Sequence, residues 1–335
     1  MNTDWPEDVE VRVLPYHSRQ ILLMRYMEEK YLDHVLRRKY DDSTPVEITD
    51  PVVRSQLDKS NKPHFLFILV ATPVEEVGRD HDFDWAVVEP SSYRSIIQLS
   101  GRIRRHRPID TDIVYDNLAV MEYNVNALKG RKIAYTKPGF EDKNYPLKSH
   151  NMHIIGDEKV LNSKIDSTPR IQKRSKLEYS KNMIDLEQKV MEDINSHASG
   201  PDKLLGWTDE YWWMTGVPLY LNRFRKQYGI NITLYAPYKY GEVSFNEVIE
   251  NKYEKCEKSY NITIDNDLTE LEEKRLWLPR SYIEALKKIV SLNSDLTMED
   301  ASKKYGELDI EVRDSDKIPP HRIYSDLFGL YNEEE

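Results

Sequence analysis

Cysteine and long hydrophobic runs are what this 335-residue chain lacks most clearly. Cys256 is its one cysteine, which excludes an intrachain disulfide and a cysteine metal cluster and fits a reducing, cytoplasmic setting. The longest apolar run, FLFILVA at residues 65–71, is far shorter than the roughly 20 residues that a membrane helix needs. The sequence therefore predicts a protein that has no membrane partner.

A uniformly basic surface and a phosphate-binding loop are also absent. The formal net charge is −10, which excludes a basic nucleic-acid coat and leaves room only for a local basic groove. The pattern G-x-x-x-x-G-K-[ST], whose backbone amides and lysine hold nucleotide phosphates, occurs nowhere in the chain. What is present, 39% apolar and 10% aromatic residues, suffices for globular cores.

The first third of the chain has an α/β pattern. Strand-like runs lie at 10–18, 64–72, 85–90 and 112–122. They alternate with a helical pattern at 19–40 and with a second helix that Ser91 or Ser92 would cap. HFLFILVAT at 64–72 is typical of a strand buried on both faces of a parallel sheet. We expect a doubly wound parallel sheet flanked by helices, whose ligands bind outside the carboxyl ends of the strands.

The pattern changes after residue 125. A loop-rich, basic stretch with a helix over about 176–197 predicts a linker and crossing helix over 126–200. An aromatic stretch, the short strand NITLYAPY and a helix at 279–293 predict a smaller α+β accessory domain over 201–335. The first domain is then expected to span 1–125.

The segment QLSGRIRRHR at 98–107 sets four arginines and a histidine close together. Gln98, Gly101, Arg102 and Arg105 form the pattern Q-x-x-G-R-x-x-R. On a helix, Arg102 and Arg105 would share one face, so both guanidinium groups could reach a single polyphosphate. The segment therefore predicts contact with a nucleotide γ-phosphate, in the role of an arginine finger.

Thr72 and Gly78, which precede this segment in the chain, are suited to contact a phosphate or a nucleic acid. Thr72 ends the strand at 64–72, where we expect its hydroxyl and backbone N–H to be free for a phosphate. Gly78 would let the backbone approach a nucleic-acid strand closely.

ILVATPVEEVGRDHDFDWAVVEPSSYRSIIQLSGRIRRHR resembles motifs V and VI of superfamily 2 helicases, in the second of their two RecA-like lobes. It is most similar to the CRISPR-associated helicase and nuclease of type I systems, subtype I-F. YHSR, with His17, Ser18 and Arg19, resembles the H-S-R segment early in that lobe. Arg104 departs from the pattern, because many superfamily 2 proteins have glycine there.

The resemblance implies roles for these residues. DNA contacts would come from His17, Ser18, Arg19 and Thr72, and catalysis from Gln98, Arg102 and Arg105. Gly78, Asp80 and Gly101 would contribute to the nucleotide site, while motif V (Thr72, Gly78 and Asp80) would couple it to DNA. No metal site is predicted in this chain.

The same resemblance implies a function. The chain would be part of an ATP-dependent single-stranded-DNA translocase or helicase with an associated nuclease, acting in CRISPR interference, an antiviral defence. ATP and Mg²⁺ would bind only in the complete two-lobe protein, because the acidic box of the first lobe is missing here along with the phosphate loop. We therefore expect an N-terminally incomplete lobe, either the C-terminal piece of a longer protein or a split-gene product, inactive alone. Its partners would be the other lobe, the nuclease domain, single-stranded DNA and an RNA-guided surveillance complex.

Two alternatives remain at this point. The chain could be a non-enzymatic DNA-binding or protein-docking module derived from a helicase lobe. It could also be an unrelated α/β protein in which Q-x-x-G-R-x-x-R is accidental, although motif V and motif VI occur in the right order.

Several tempting residues have a structural interpretation as well. The dipeptide His81-Asp82 suits a loop near DNA better than a nuclease metal site, and His150 and His153 lack partners at metal-ligand spacing. The aromatic segment contains Trp207, Tyr211, Trp212 and Trp213, and its tryptophans are favoured as core rather than as base-stacking groups. Arg223 and Arg225 are left as DNA or interlobe contacts.

Overall fold

The computed structural model describes residues 4–38, 45–76, 78–107, 115–136, 139–200, 203–215, 230–250, 255–312 and 321–333. The chain forms two compact units. Unit 1 comprises residues 1–75 and 227–335, and unit 2 comprises residues 76–226. These bounds differ from the expected 1–125, 126–200 and 201–335, because the last third of the chain packs with the first 75 residues.

Unit 1 begins with a strand–helix–strand crossover. Strand β1 (Val9–Tyr16) pairs in parallel with β2 (His64–Ala71), with Val9 opposite His64 and Tyr16 opposite Ala71. The connection contains helices α1 (Leu22–Val35), α2 (Val46–Thr49) and α3 (Pro51–Lys59). Asp50 caps α3 by accepting hydrogen bonds from the N–H groups of Val52 and Val53, and Pro51 suits the first helical position.

The rest of unit 1 is α+β. An antiparallel sheet has the strand order β11-β5-β8-β9, with bounds Glu307–Val312, Ile230–Tyr235, Phe245–Glu250 and Lys255–Tyr260. A second sheet has the order β10-β12-β13 (Ile262–Ile264, Arg322–Ser325 and Gly329–Asn332), and β6 (Tyr238–Lys239) forms a hairpin with β7 (Glu242–Val243). The helices are α11 (Glu270–Arg275), α12 (Tyr282–Leu292) and α13 (Met298–Tyr305).

The core of unit 1 joins distant parts of the chain. Buried residues of α1, the antiparallel sheet, α12 and the C-terminal strands form one cluster, including Ile21, Leu234, Phe245, Leu286 and Tyr324. Because these side chains are removed from water together, the C-terminal strands are part of the same hydrophobic core as α1.

Unit 2 contains a second parallel pair, β3 (Ala86–Val88) with β4 (Leu118–Val120). Helix α4 (Tyr93–Ser100) follows β3, and Ser92 caps it by accepting the Ser95 N–H. The further helices among the described residues of unit 2 are α5 (Val125–Leu128), α6 (Met152–Ile155), α7 (Glu158–Leu161), α8 (Thr168–Ile171), α9 (Met183–Ile194) and α10 (Gly206–Asp209), and a 3₁₀ turn follows at Tyr211–Thr215. Its core includes Val88, Tyr93, Ile96, Tyr135 and Ile184.

The predicted α/β class, with parallel strands, flanking helices and an α+β C-terminal part, is confirmed. The expectation that residues 64–72 are buried on both faces is wrong. Most of β2 is half-buried, and Val70 and Ala71 are exposed. None of the helices within the described ranges combines the length and the apolar character needed to cross a bilayer.

Candidate nucleotide and nucleic-acid site

The arginine-rich segment of unit 2 lies against the acidic segment that precedes β3. The Phe83 N–H donates to the Arg102 carbonyl at 2.8 Å, and the Arg104 N–H donates to the Phe83 carbonyl at 2.9 Å. Helix α4 ends at Ser100, and Arg104 has a φ of 49°. The expectation that Arg102 and Arg105 share a helical face is therefore wrong, since neither lies on a helix.

The guanidinium of Arg102 binds two backbone carbonyl groups. Arg102 is only 4% exposed, and its Nη2 donates to the Glu76 carbonyl at 3.0 Å. Its Nη1 donates to the Arg79 carbonyl. Arg102 thus ties the end of α4 to the segment that carries Gly78 and Asp80.

Arg105 faces solvent and has a carboxylate partner. Its side chain is 40% exposed, with Nε 3.2 Å from Oδ1 of Asp80. The same oxygen lies 2.8 Å from Nε2 of His106. Two predicted site residues, Asp80 and Arg105, are therefore in direct contact, and an aspartate of this chain neutralises the arginine.

The next arginine, Arg107, forms a more buried ion pair. Its Nη2 donates to Oδ1 of Asp82 at 2.8 Å and to the Phe83 carbonyl at 2.8 Å, and Nη1 pairs with Asp84. The Asp82 side chain is fully buried. The sequence analysis missed this role of Asp82, although the three aspartates of residues 80–84 and the arginines of residues 102–107 were a usable signal.

This pairing supports the structural interpretation of His81-Asp82. Asp82 accepts the His106 N–H at 3.1 Å as well as the Arg107 guanidinium, and His81 packs edge-on against Phe83. In the part of the chain that the structure describes, no group of three or more His, Cys, Asp and Glu residues could hold a metal ion.

The two predicted glycines differ in what the backbone requires of them. Gly78 is exposed and has a φ of 74°, a left-handed conformation that favours glycine. Gly101 has an ordinary helical φ of −66°. A methyl group there would meet its nearest neighbour, the Ile97 carbonyl oxygen, at 3.5 Å, so folding does not require glycine at this position.

Helix α4, which carries Gln98, is anchored by two buried acids that the sequence did not identify. Glu187 of α9 accepts the N–H groups of Tyr93 and Arg94 at the positive end of the helix. Glu76 accepts the Ser95 hydroxyl at 3.0 Å. Burial raises the pKa of both carboxyl groups, and the hydrogen bonds they accept oppose that shift.

The H-S-R segment lies in unit 1, in the loop after β1. The Arg19 N–H donates to Nδ1 of His17 at 3.1 Å, so His17 is the neutral tautomer that donates through Nε2 to the Phe328 carbonyl at 2.9 Å. Burial lowers the pKa of His17, and the Phe328 hydrogen bond only partly opposes this. Ser18 and Arg19 are exposed.

Thr72 lies beside this loop at the end of β2. Its N–H donates to the Tyr16 carbonyl at 3.1 Å, so the expectation of a free N–H is wrong. The Thr72 residue is exposed, which leaves the hydroxyl accessible. Thr72 and His17–Arg19 belong to unit 1, whereas Gly78, Asp80, Gln98, Gly101, Arg102 and Arg105 belong to unit 2.

Among the other candidates, the core interpretation is wrong for Trp212. Trp212 is 58% exposed and Tyr211 is 75% exposed, and Trp212 stacks on Trp213 with ring centroids 3.5 Å apart. Arg223 and Arg225 lie outside the described residues.

The two histidines at metal-like spacing have separate partners. His150 binds the buried Glu141 at 3.0 Å, and His153 binds Glu158 at 3.1 Å. Each imidazole therefore has a carboxylate of its own, in agreement with the structural interpretation.

Residues 2–108 match the family model of the C-terminal part of the CRISPR-associated nuclease/helicase Cas3. The predicted resemblance to this family is therefore confirmed for this segment. More particularly, the chain is 41% identical over 214 residues to the Cas3 of subtype I-F/YPEST from Pseudomonas aeruginosa strain UCBPP-PA14, covering 64% of this chain and 19% of that protein. The protein of the same description from Pectobacterium atrosepticum strain SCRI 1043 is 40% identical over 189 residues, covering 56% and 17%.

The chain thus spans less than a fifth of the length of either relative. The crystal structure of T. fusca Cas3 covers 96% of this chain at 12% identity, with a TM-score of 0.33. That likeness is too low to bear on the fold.

Proposed function

We propose that this chain supplies motif V and motif VI of an ATP-dependent single-stranded-DNA helicase with an associated nuclease, which acts in CRISPR interference. The observation that carries the proposal is the Arg105–Asp80 contact, in which a solvent-accessible guanidinium of motif VI lies on a carboxylate of motif V. The relationship to Cas3 of subtype I-F supports the assignment of both motifs.

Arg105 has the freedom that an arginine finger needs. Its partner is a half-exposed aspartate, so a nucleotide phosphate can take the place of that carboxylate without uncovering the core. The guanidinium would then stabilise the charge that develops on the transferred phosphoryl group. Displacing Asp80 would break the Arg105 contact between motif V and motif VI, which is how the nucleotide would communicate with DNA.

Arg102 has a different part in the proposal. It holds the carbonyls of Glu76 and Arg79 from a buried position, so it keeps the motif V segment attached to the end of α4. Gln98 lies on α4 itself and would face the nucleotide from the helix. Gly78 and Gly101 would allow close backbone approach.

ATP and Mg²⁺ would bind in the complete two-lobe protein. Asp80 and Arg105 suit the edge of such a site, because one cation can be exchanged between a carboxylate and a phosphate. The phosphate loop and the metal ligands would come from the other lobe.

Single-stranded DNA would contact unit 1. Ser18 and Arg19 are exposed in a loop whose backbone is held by His17, and the exposed Thr72 lies at the end of the neighbouring strand. An arginine and two hydroxyl groups are suited to phosphate contacts. The partners would be the remaining Cas3 domains and an RNA-guided surveillance complex in the cytoplasm.

A chimera tests the proposal. The matching region of the Pseudomonas aeruginosa relative is replaced by this chain, and DNA-stimulated ATP hydrolysis and unwinding are measured. We expect activity in the chimera and none in the chain alone. Arg105→Ala should lower ATP hydrolysis by on the order of 10³, the effect of removing an arginine finger. The matched control is Arg131→Ala, which removes an exposed arginine of unit 2 outside both motifs.

A folded chimera that binds DNA but hydrolyses no ATP would contradict the proposal. That result would favour the non-enzymatic module instead. Full hydrolysis by the Arg105→Ala chimera would contradict the assignment of Arg105 alone.

A further inference from the structure

The C-terminal turn of unit 1 touches the H-S-R loop through its backbone. The Phe328 carbonyl accepts Nε2–H of His17 at 2.9 Å, and the Leu330 N–H donates to the Arg19 carbonyl at 2.8 Å. A turn more than 300 residues away in the sequence thus binds both ends of the three-residue segment His17–Arg19.

Gly329 makes this contact possible. Its φ is 69°, and a Cβ atom there would lie 2.3 Å from the Arg19 carbonyl oxygen and 2.6 Å from Cε1 of His17. Real Cβ atoms essentially never approach so closely, so only glycine lets the turn lie against the loop in this geometry.

A buried arginine fixes the turn and the loop to the same support. Nη1 of Arg280 donates to Oε1 of Gln20 at 3.0 Å and pairs with Glu28, while Nη2 donates to the Leu327 carbonyl. The side chains of Arg280 and Glu28 are almost fully buried. Gln20 directly follows Arg19, so one guanidinium joins the loop, helix α1 and the turn.

We propose that the turn Asp326–Gly329, together with Arg280, is the positioning element that holds Ser18 and Arg19 ready for a nucleic-acid backbone. The proposal rests on the proposed function, in which these two residues contact DNA. A loop that is already ordered loses less conformational entropy on binding. Less of the free energy of its phosphate contacts is therefore spent on ordering the loop. Gly329 and Arg280 are positioning residues, because they would act through the loop and touch no DNA themselves.

Matched glycine variants test this role. Gly329→Ala introduces both the steric clash and the cost of a side chain at positive φ. Gly241→Ala is the control, because Gly241 lies in the same unit with a φ of 91° and nothing within 4 Å of an added Cβ. Each variant is prepared in the full chain, with and without Arg19→Gln.

Two measurements are made on these variants. Fluorescence anisotropy follows binding of an oligo-dT strand, and ¹⁵N NMR follows the His17 tautomer and the exchange of the Arg19 amide. In the wild-type and Gly241→Ala chains, Arg19→Gln should weaken binding about 3- to 10-fold at low salt, the expected loss for one phosphate contact. With Gly329→Ala, Arg19→Gln should change affinity less than twofold, and the Nε2–H signal and amide protection should be lost.

The outcomes separate this inference from the proposed function. If Gly329→Ala keeps both the NMR signature and the full effect of Arg19→Gln, the positioning role is wrong. If the wild-type chain binds no oligo-dT, the DNA role fails, and the NMR comparison by itself decides whether the turn holds the loop. If circular dichroism shows that Gly329→Ala does not fold, Arg280→Lys replaces it, because lysine keeps the charge but cannot bridge Gln20 and Leu327.

Discussion

At the scale of single residues, one carboxylate controls the arginine that matters most for the proposed activity. The contact pairs a charged oxygen with a guanidinium that is 40% exposed, so it is screened by water and contributes little to folding. Its effect is on availability, because a paired guanidinium is a poorer partner for a second anion.

Replacing Asp80 with asparagine should therefore expose Arg105 to reagents. We expect Asp80→Asn to raise the rate at which phenylglyoxal modifies Arg105 severalfold, measured by peptide mass spectrometry on the intact chain. Asp84→Asn is the control, because Asp84 pairs with Arg107, whereas Asp80 pairs with Arg105. Equal modification rates in wild type and Asp80→Asn would show that Asp80 does not shield the arginine.

His17 provides a residue-scale test of the loop through pH. Its pKa is lowered below 6.5 chiefly by burial, so as the pH falls the unfolded chain takes up the proton first. His17 therefore contributes stability that is fully present above pH 6.5 and is lost as the pH falls through the folded-state pKa. Urea unfolding should show that the free energy of unfolding falls between pH 7.5 and pH 5, and that it falls less in His17→Gln. A His17 imidazole that titrates at or above 6.5 by NMR would contradict the lowered pKa.

The sequence predicted that these arginines take part in binding, but it did not predict which groups they bind. The pattern Q-x-x-G-R-x-x-R indicated that Arg102 and Arg105 bind an anion or acceptor, since guanidinium groups so close together repel one another. It did not indicate that Arg102 would bind two carbonyls in the interior or that Arg105 would bind Asp80. Those partners depend on how two loops lie against each other, which no local pattern encodes.

At the scale of elements, the start of α4 was predictable and its end was not. Either Ser91 or Ser92 was predicted to cap this helix, and Ser92 is the residue that does so. The arginines after Gly101 continue the helical spacing, yet the chain leaves the helix at Ser100 because residues 102–104 bind the segment around Phe83 instead. A tertiary contact overrides the local preference at this point.

A substitution at Gly101, at the end of α4, should affect stability and activity in opposite directions. The Gly101 backbone is compatible with alanine, so Gly101→Ala should stabilise unit 2 by about 0.4–1 kcal/mol by restricting the unfolded chain. In the chimera, the added methyl group should lower ATP hydrolysis if a phosphate approaches this backbone. Urea unfolding and ATP turnover measure the two effects. Unchanged turnover in the more stable variant would exclude Gly101 from the nucleotide site.

At the scale of the whole molecule, the sequence did not predict that the C-terminal third of the chain packs with the first 75 residues. Strand β5 pairs with β11, and the C-terminal turn binds the loop after β1. The hydrophobic pattern shows which faces of each element are apolar but not which distant element covers them. The Gly329 position is the clearest example, since its requirement for glycine comes from atoms of His17 and Arg19.

The same scale governs nucleic-acid binding by the chain. A net charge of −10 opposes association with DNA, so the few cationic contacts should dominate the salt dependence. Each phosphate neutralised by Arg19 or a similar side chain releases counterions and contributes about −0.7 to the slope of log affinity against log salt. We therefore expect weak binding that falls steeply with salt.

The exposed Trp212 offers a competing, salt-insensitive way to bind single strands by stacking on bases. Its neighbours in the sequence oppose that use, because Asp209 and Glu210 are acidic and would repel a phosphate backbone bound near Trp212. We expect Trp212→Ala to change oligo-dT affinity less than twofold, and Arg19→Gln to reduce the salt slope by about 0.7. Titrations at two salt concentrations measure both. Affinity that ignores salt and collapses in Trp212→Ala would identify the tryptophan, and not the arginine loop, as the main contact of this chain with DNA.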